Sequence, residues 1–279
     1  MKKIFKIAVP AIMVINFFIL STGCFKNSGV TNNNYAGGHT DLDAIEKPIF
    51  DYVEGWYDKD PERMKKGLHP DLAKRSIDPA KSNGINKMDL PSLLSIVHQY
   101  GGQNAETRII DIKILDVYQN IATAKVTTND YIDYVQLGYM SNKWMIINVL
   151  WEFKTVKTRK LTSIEIKSLE KPILDYVEGW YDKDSKRMMQ GLHKDLAKRS
   201  MNPEKPNGIE QYTLKSLLEI LPIYGGQNGN DRIIDIKILD VSGNIASVKV
   251  TSNFFVDYIH LCYLVDQWWD LNVLWAFKK

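Results

Sequence analysis

His69 and His193 hold the same place in two copies of Gly-Leu-His-x-Asp-Leu-Ala-Lys-Arg-Ser. An imidazole near a carboxylate and a guanidinium has the composition of a general base with an orienting partner, Asp71 or Arg75 in one copy and Asp195 or Arg199 in the other. The same groups suit a helix-to-strand corner, where polar side chains satisfy backbone donors and acceptors, and this structural role is the expected one. Asp133 and Asp257 are the second matched pair of candidates. Alternation puts Asp133 on one strand face with Tyr131, Val135 and Leu137, and a solvated or lysine-paired carboxylate is expected there. Asp111, Asp116, Asp235 and Asp240 flank Lys113 and Lys237 and read as outward-facing charge.

The aromatic residues point to binding more than to catalysis. Tyr52, Trp56, Tyr131 and Trp151, with Tyr176, Trp180 and Trp275, offer flat apolar surface with polar tips on which a ring-shaped ligand could stack. Core filling is the competing role for any single tryptophan. Other chemistries lack their signatures. His39, His98 and His260 are unmatched between the copies, no His, Cys or carboxylate cluster has metal-ligand spacing, and neither a metal nor a cofactor is expected. Gly101-Gly102 follows a helix and precedes a strand, the wrong order for a phosphate loop. No Gly-x-Ser-x-Gly elbow occurs, and Cys262, on a strand, reads as buried rather than reactive.

The elements that must position these residues come in two sets. Shifting the sequence by 124 residues aligns Glu46-Lys47-Pro48 with Glu170-Lys171-Pro172 and continues without a gap to Phe277-Lys278. Roughly 60% of the aligned positions are identical, a duplication of domain-sized units and not a solenoid of short repeats. In the first copy Ile45, Ile49, Tyr52, Val53 and Trp56 recur at helical spacing, and the helix stops near Tyr57; Pro48 either delays or bends it. Asp60-Pro61 caps a short helix ending at Gly67, and a third helix runs from Asp89 or Leu90 to Gln99. Strands are expected around Ile110 to Leu115, Ile121 to Thr128, Tyr131 to Met140 and Trp144 to Phe153. In the second copy Thr162-Ser163-Ile164-Glu165 has the form of a capping box. Helices followed by antiparallel strands make an α+β class.

The chain of 279 residues has 36 basic and 33 acidic side chains. Lys2, Lys3 and Lys6 are the only charges in the first 23 residues, so the remainder balances, without the electrostatic footprint of a nucleic-acid binder. A basic start, an apolar run from Ile7 to Leu20 and Ser21-Thr22-Gly23-Cys24 read as an export signal, too short for a membrane span. Its end resembles a bacterial lipoprotein lipobox. That resemblance implies lipid attachment at Cys24 and an exported protein anchored to a membrane of the cell envelope, although Ser21 stands where the pattern wants Leu. The expected organisation is a signal peptide at 1–23, a lipid-attachment Cys and flexible tether at 24–40, domains at 41–154 and 163–279, and a linker at 155–162.

Taken together, DYVEGWYDKD on the first helix, the Leu68-to-Asp71 corner, DIKILDV, Asn-Ile-Ala-x-x-Lys-Val, Asp133-Tyr134 and Lys143-Trp144-x-Ile-x-Asn148 resemble the NTF2-like superfamily, and within it the group called putative lumazine-binding proteins. The resemblance covers each repeat almost end to end. It implies two cystatin-like cones, each a bent antiparallel sheet around the first helix with a cavity between them. It also implies a small organic ligand, aromatic or heterocyclic, in one or both cavities. An isomerase- or dehydratase-like activity is the alternative. There Asp133, Asp257, His69 or His193 would move the proton, and Tyr52, Tyr131 or Tyr139 would donate to the developing oxyanion. A non-catalytic structural or partner-binding module is the third reading, and catalysis is not the favoured one. Members of this scaffold pair through the open sheet face, so the tandem repeat is expected to form an intrachain pseudo-dimer. The second copy departs at Asp270, where the first has Ile146.

Overall fold

Asp41 starts the first helix by accepting the amide of Asp43 at 3.1 Å. In the computed structural model, which describes residues 41–102, 105–154, 162–227 and 229–278, α1 (Leu42–Tyr57) starts before Pro48 and continues past it. Asp60 caps α2 (Pro61–Gly67) through the amide of Arg63. Gly67 ends α2 where α1 passes so close that a Cβ would strike the Pro48 carbonyl oxygen. Then come β1 (Leu68–Ile77), β2 (Ile85–Met88), α3 (Leu90–Tyr100), β3 (Asp111–Tyr118), β4 (Ile121–Thr127), β5 (Tyr131–Met140) and β6 (Lys143–Phe153).

The second repeat follows the same order: α4 (Ser163–Asp182), α5 (Ser185–Gly191), β7 (Leu192–Met201), β8 (Ile209–Tyr212), α6 (Leu214–Tyr224), β9 (Ile234–Ser242), β10 (Ile245–Ser252), β11 (Phe255–Leu264) and β12 (Gln267–Phe277). The capping box forms as expected, with the Thr162 amide donating to Glu165 at 2.7 Å. The signal peptide, Cys24, the tether and residues 155–161 of the linker expected at 155–162 lie outside the described residues, while Thr162 belongs to the cap of α4.

Each repeat is an α+β unit with a six-stranded sheet, ordered β2-β1-β6-β5-β4-β3 and β8-β7-β12-β11-β10-β9. The sheet is mixed, not purely antiparallel: β1 joins β6, and β7 joins β12, in parallel. The pattern expected from sequence omitted β1 and β2. Both faces of β1 are covered, and its buried residues include Lys74, Arg75 and Ser76, so it carries no apolar alternation.

One face of each sheet closes on its helices. Ile45, Ile49, Val53, Leu93, Val97, Val135, Leu137 and Val149 form that core in the first repeat. The opposite faces pack repeat against repeat, with Tyr134 and Leu150 among Ile245, Cys262 and Leu271, and Ile121 and Ile147 among Ile209, Tyr258 and Leu274. Cys262 is buried as expected, and burial pushes its thiol up to about 12.

The polar contacts of this seam recur with the 124-residue offset. Lys249 donates to Asp116 at 2.7 Å and Lys125 to Asp240 at 2.6 Å; the Tyr258 hydroxyl donates to Asp116 at 2.6 Å and that of Tyr134 to Asp240 at 2.5 Å. Asp116 and Asp240 therefore do not face outward to solvent. An extra residue in β3 between Ile114 and Asp116, and its counterpart at Leu239 in β9, turns two successive side chains to the same face.

Candidate functional site

Tyr52 and Trp56 sit one turn apart on α1, on the side that faces the sheet. Across from them β5 presents Tyr131 and Asp133, β6 presents Trp151, and β1 presents Lys74. Asn86 and Met88 of β2, with Leu93, Ile96 and Tyr100 of α3, complete a cavity of about 290 Å³. The structure thus brings together five of the residues singled out from sequence: Tyr52, Trp56, Tyr131, Asp133 and Trp151. The alternation that put Asp133 beside Tyr131 holds because the bulge pairing β5 with β6 lies further along, between Gln136 and Leu137.

The polar end is a buried chain of three groups. Lys74 Nζ donates to Tyr52 Oη at 2.7 Å, and Tyr52 Oη donates to Asp133 Oδ2 at 3.1 Å. Asp133 Oδ1 faces Lys74 Nζ at 3.6 Å and accepts no hydrogen bond among the described residues. Lys74 Nζ also lies 4.8 Å from the centre of the Trp151 ring, and removal from water lowers its pKa against the opposing pull of Asp133. Burial, reinforced by the Asp133 charge, holds the Tyr52 phenol well above its ordinary value, so it stays protonated. A lysine was not among the candidates read from sequence. Its signal was present in the repeated Leu-Ala-Lys-Arg-Ser string, where a strand buried on both faces must turn one of its cations inward.

The apolar walls are edge-to-face aromatics. Tyr131 stands 5.2 Å from Trp151 at 81° and 6.4 Å from Trp56 at 86°, while Phe153 packs on both Tyr131 and Trp151. A neutralised cation–carboxylate pair at one end and rings along the sides suit a small, flat, uncharged molecule.

In the second repeat Tyr176, Asp257, Lys198 and Trp275 repeat the arrangement more tightly. Lys198 donates directly to Asp257 at 2.8 Å and to Tyr176 at 2.7 Å, while Tyr176 and Asp257 stand 3.4 Å apart. Trp180 remains half-buried on α4. The sequence departs here: Phe255 replaces Tyr131, Glu210 replaces Asn86, Tyr212 replaces Met88 and Ser252 replaces Thr128. Asp270 is fully buried, and neither carboxylate oxygen has a hydrogen-bond partner among the described residues; burial and the nearby Asp257 charge raise its pKa strongly.

The histidines lie elsewhere. His69 Nε2 meets the carbonyl oxygen of Asn207 at 2.8 Å while its Nδ1 accepts the Asp71 amide at 3.0 Å, and His193 pairs with Asn83 and Asp195 in the same way at 3.2 and 3.1 Å. Both rings fasten corners of the seam, and neither lines the first-repeat cavity. Among the described residues no group of His, Cys, Asp and Glu could hold a metal ion.

Comparison with known proteins follows this architecture. The profile of the family described as putative lumazine-binding matches residues 40–152 and again 164–276. No curated protein matches the chain. Among solved structures, an NTF2-like protein of unknown function from Shewanella baltica OS155 is similar at 17% identity and a TM-score of 0.38, covering 41% of this chain and 94% of its own. An NTF2-like protein of unknown function from Methylobacillus flagellatus KT has 21% identity and a TM-score of 0.36, covering 41% and 93%. A ketosteroid isomerase-like protein from Erwinia carotovora atroseptica SCRI1043 has 12% identity and a TM-score of 0.33, covering 42% and 98%.

Proposed function

The chain belongs to the putative lumazine-binding family through both of its repeats, and from that premise we propose that the first-repeat cavity binds a small planar organic molecule. The observation that carries this reading is the cavity of about 290 Å³ walled by Trp56, Tyr131 and Trp151 and ended by the Lys74–Tyr52–Asp133 chain. That volume lies at the small end of ligand pockets, with room for one or two fused rings. An uncharged heterocycle of the lumazine kind meets these demands: its faces stack on the aromatics, and its ring N–H groups find the unfilled Asp133 oxygen. The isomerase-like alternative is less well supported, because Asp133, the carboxylate that would take a carbon-bound proton, already accepts from Tyr52 at 3.1 Å and faces Lys74 at 3.6 Å.

The reading extends to the rest of the chain. The basic, apolar N-terminus ending at Cys24 supports an exported protein, lipid-anchored in a bacterial envelope. The seam contacts, repeated at a fixed offset, support an intrachain pseudo-dimer that leaves the chain monomeric.

Titration with lumazine, followed by quenching of tryptophan fluorescence, tests the binding claim. Saturable quenching that is lost in Trp151→Ala and kept in Trp275→Ala is expected; identical curves for all three proteins contradict it. Fatty-acid labelling abolished by Cys24→Ser tests the anchor.

A further inference from the structure

Among the described residues, Lys74 is the one amine on the wall of the first-repeat cavity, and its proton has a marked route away. Its Nζ donates to Tyr52 Oη at 2.7 Å, and Tyr52 passes its own hydrogen bond to Asp133 Oδ2 at 3.1 Å. Transfer along this line converts an ammonium and a carboxylate into a neutral amine and a carboxylic acid, with the phenol unchanged. Removal from water disfavours the Lys74 ammonium, the charge that this transfer discharges. Trp151, 4.8 Å from Nζ, and Tyr131 beyond it form a wall against which a planar ring can lie with a substituent pointed at the nitrogen.

We propose that the first-repeat cavity captures an aromatic aldehyde by reversible formation of an imine on Lys74, with Tyr52 and Asp133 moving the protons. The proposal rests on the cavity reading above and names a ligand class for the same site. The free amine attacks the carbonyl carbon, a C–N bond forms, and the amine's surplus proton passes to the carbonyl oxygen to give the carbinolamine. The proton held by Asp133 then travels through Tyr52 to the hydroxyl group, the C–O bond breaks, and one water leaves. The product is a protonated imine facing the regenerated Asp133 carboxylate. Lysine ammonium and aldehyde have become iminium and water, and no oxidant or reductant is consumed.

The second repeat supplies an internal comparison. There Lys198 donates straight to Asp257 at 2.8 Å, while the Tyr176–Asp257 contact stretches to 3.4 Å, so the ion pair is direct and the phenol is no longer its main conduit. Lys74 is therefore the more reactive of two lysines in otherwise matching strands.

The test treats the whole chain with benzaldehyde and sodium cyanoborohydride, maps the modified lysines, and in parallel titrates benzyl alcohol, a ring of the same size without the carbonyl, by tryptophan quenching. The expected result is benzyl alcohol binding, with trapping at Lys74 far ahead of Lys198 and of exposed Lys59 and Lys113. Tyr52→Phe should slow trapping at Lys74 by about a hundred-fold, the scale of a lost proton relay. Binding of benzyl alcohol with Lys74 labelled no faster than the exposed lysines would overturn the imine and leave the cavity reading standing. Loss of both binding and selective labelling would overturn the two together.

Discussion

His69 Nε2 lies 2.8 Å from the backbone oxygen of Asn207, 138 residues away in the other repeat. The ring is a fastener between the two repeats, with Nδ1 also taking the Asp71 amide at its own corner. His69→Ala should cost roughly 1–3 kcal/mol in chemical denaturation, the scale of a buried hydrogen bond lost together with its packing. Ligand affinity should be unchanged. A loss of binding with unaltered stability would return His69 to the site.

His260 should weaken the fold in acid. It is fully buried, its Nδ1 lies 3.4 Å from the Asn272 amide, and Nε2 has no partner among the described residues. Burial pushes its pKa down to about 3, so between that value and about 6.5 the unfolded chain binds a proton that the folded chain refuses. Stability therefore falls as pH drops through this window, by up to roughly 1.4 kcal/mol per unit. The first repeat has Gln136 at this place, donating to the Tyr258 carbonyl at 2.8 Å. His260→Gln should flatten the acid limb of urea midpoints against pH; an unchanged slope would remove His260 as its cause.

Asp270 acts in the opposite sense. Its folded pKa is raised, so the unfolded state gives up its proton first and stability declines as pH rises above the ordinary carboxylate range. Asp270→Ile, which installs the residue found at position 146, should raise stability at neutral pH by about 1–3 kcal/mol and weaken that decline. Destabilisation at neutral pH would show that the carboxyl has a role in the second repeat beyond its own burial.

Lys74 and Asp133 should behave as a unit. Asp133→Leu leaves a buried ammonium without its counter-ion and should cost about 3–5 kcal/mol, whereas Lys74→Met combined with Asp133→Leu should cost less than that single change. Denaturation of the two singles and the double measures the coupling. Additive costs would mean that the pair, 3.6 Å apart, does not interact.

The sequence made much of this visible, for identifiable reasons. The helix ends at Asp60, Gly67 and Asp89 are local signals carried by capping chemistry, and β4, β5 and β6 announce themselves by alternation. Tyr52, Trp56, Tyr131, Asp133 and Trp151 were recoverable because helical spacing and strand alternation both aim side chains at one cavity. What stayed hidden depends on contacts over long distances. β1 lies between its own core and the second repeat, so polar side chains on it are buried and its period disappears. Asp116 and Asp240 were misjudged because a bulge reverses the face of a strand without any local residue signal. Lys74 was passed over because its strand has no apolar period, so the repeated Leu-Ala-Lys-Arg-Ser string marks a cation without showing that it turns toward Tyr52 and Asp133.

The most direct measurement of the central claim is native mass spectrometry of residues 25–279 after exposure to envelope extract, for the wild type, Trp151→Ala and Trp275→Ala. A discrete adduct of small-molecule mass on the wild type and on Trp275→Ala, lost on denaturation and missing from Trp151→Ala, is the predicted result. A bare protein mass in all three, or an adduct indifferent to Trp151, would contradict a ligand site in the first repeat.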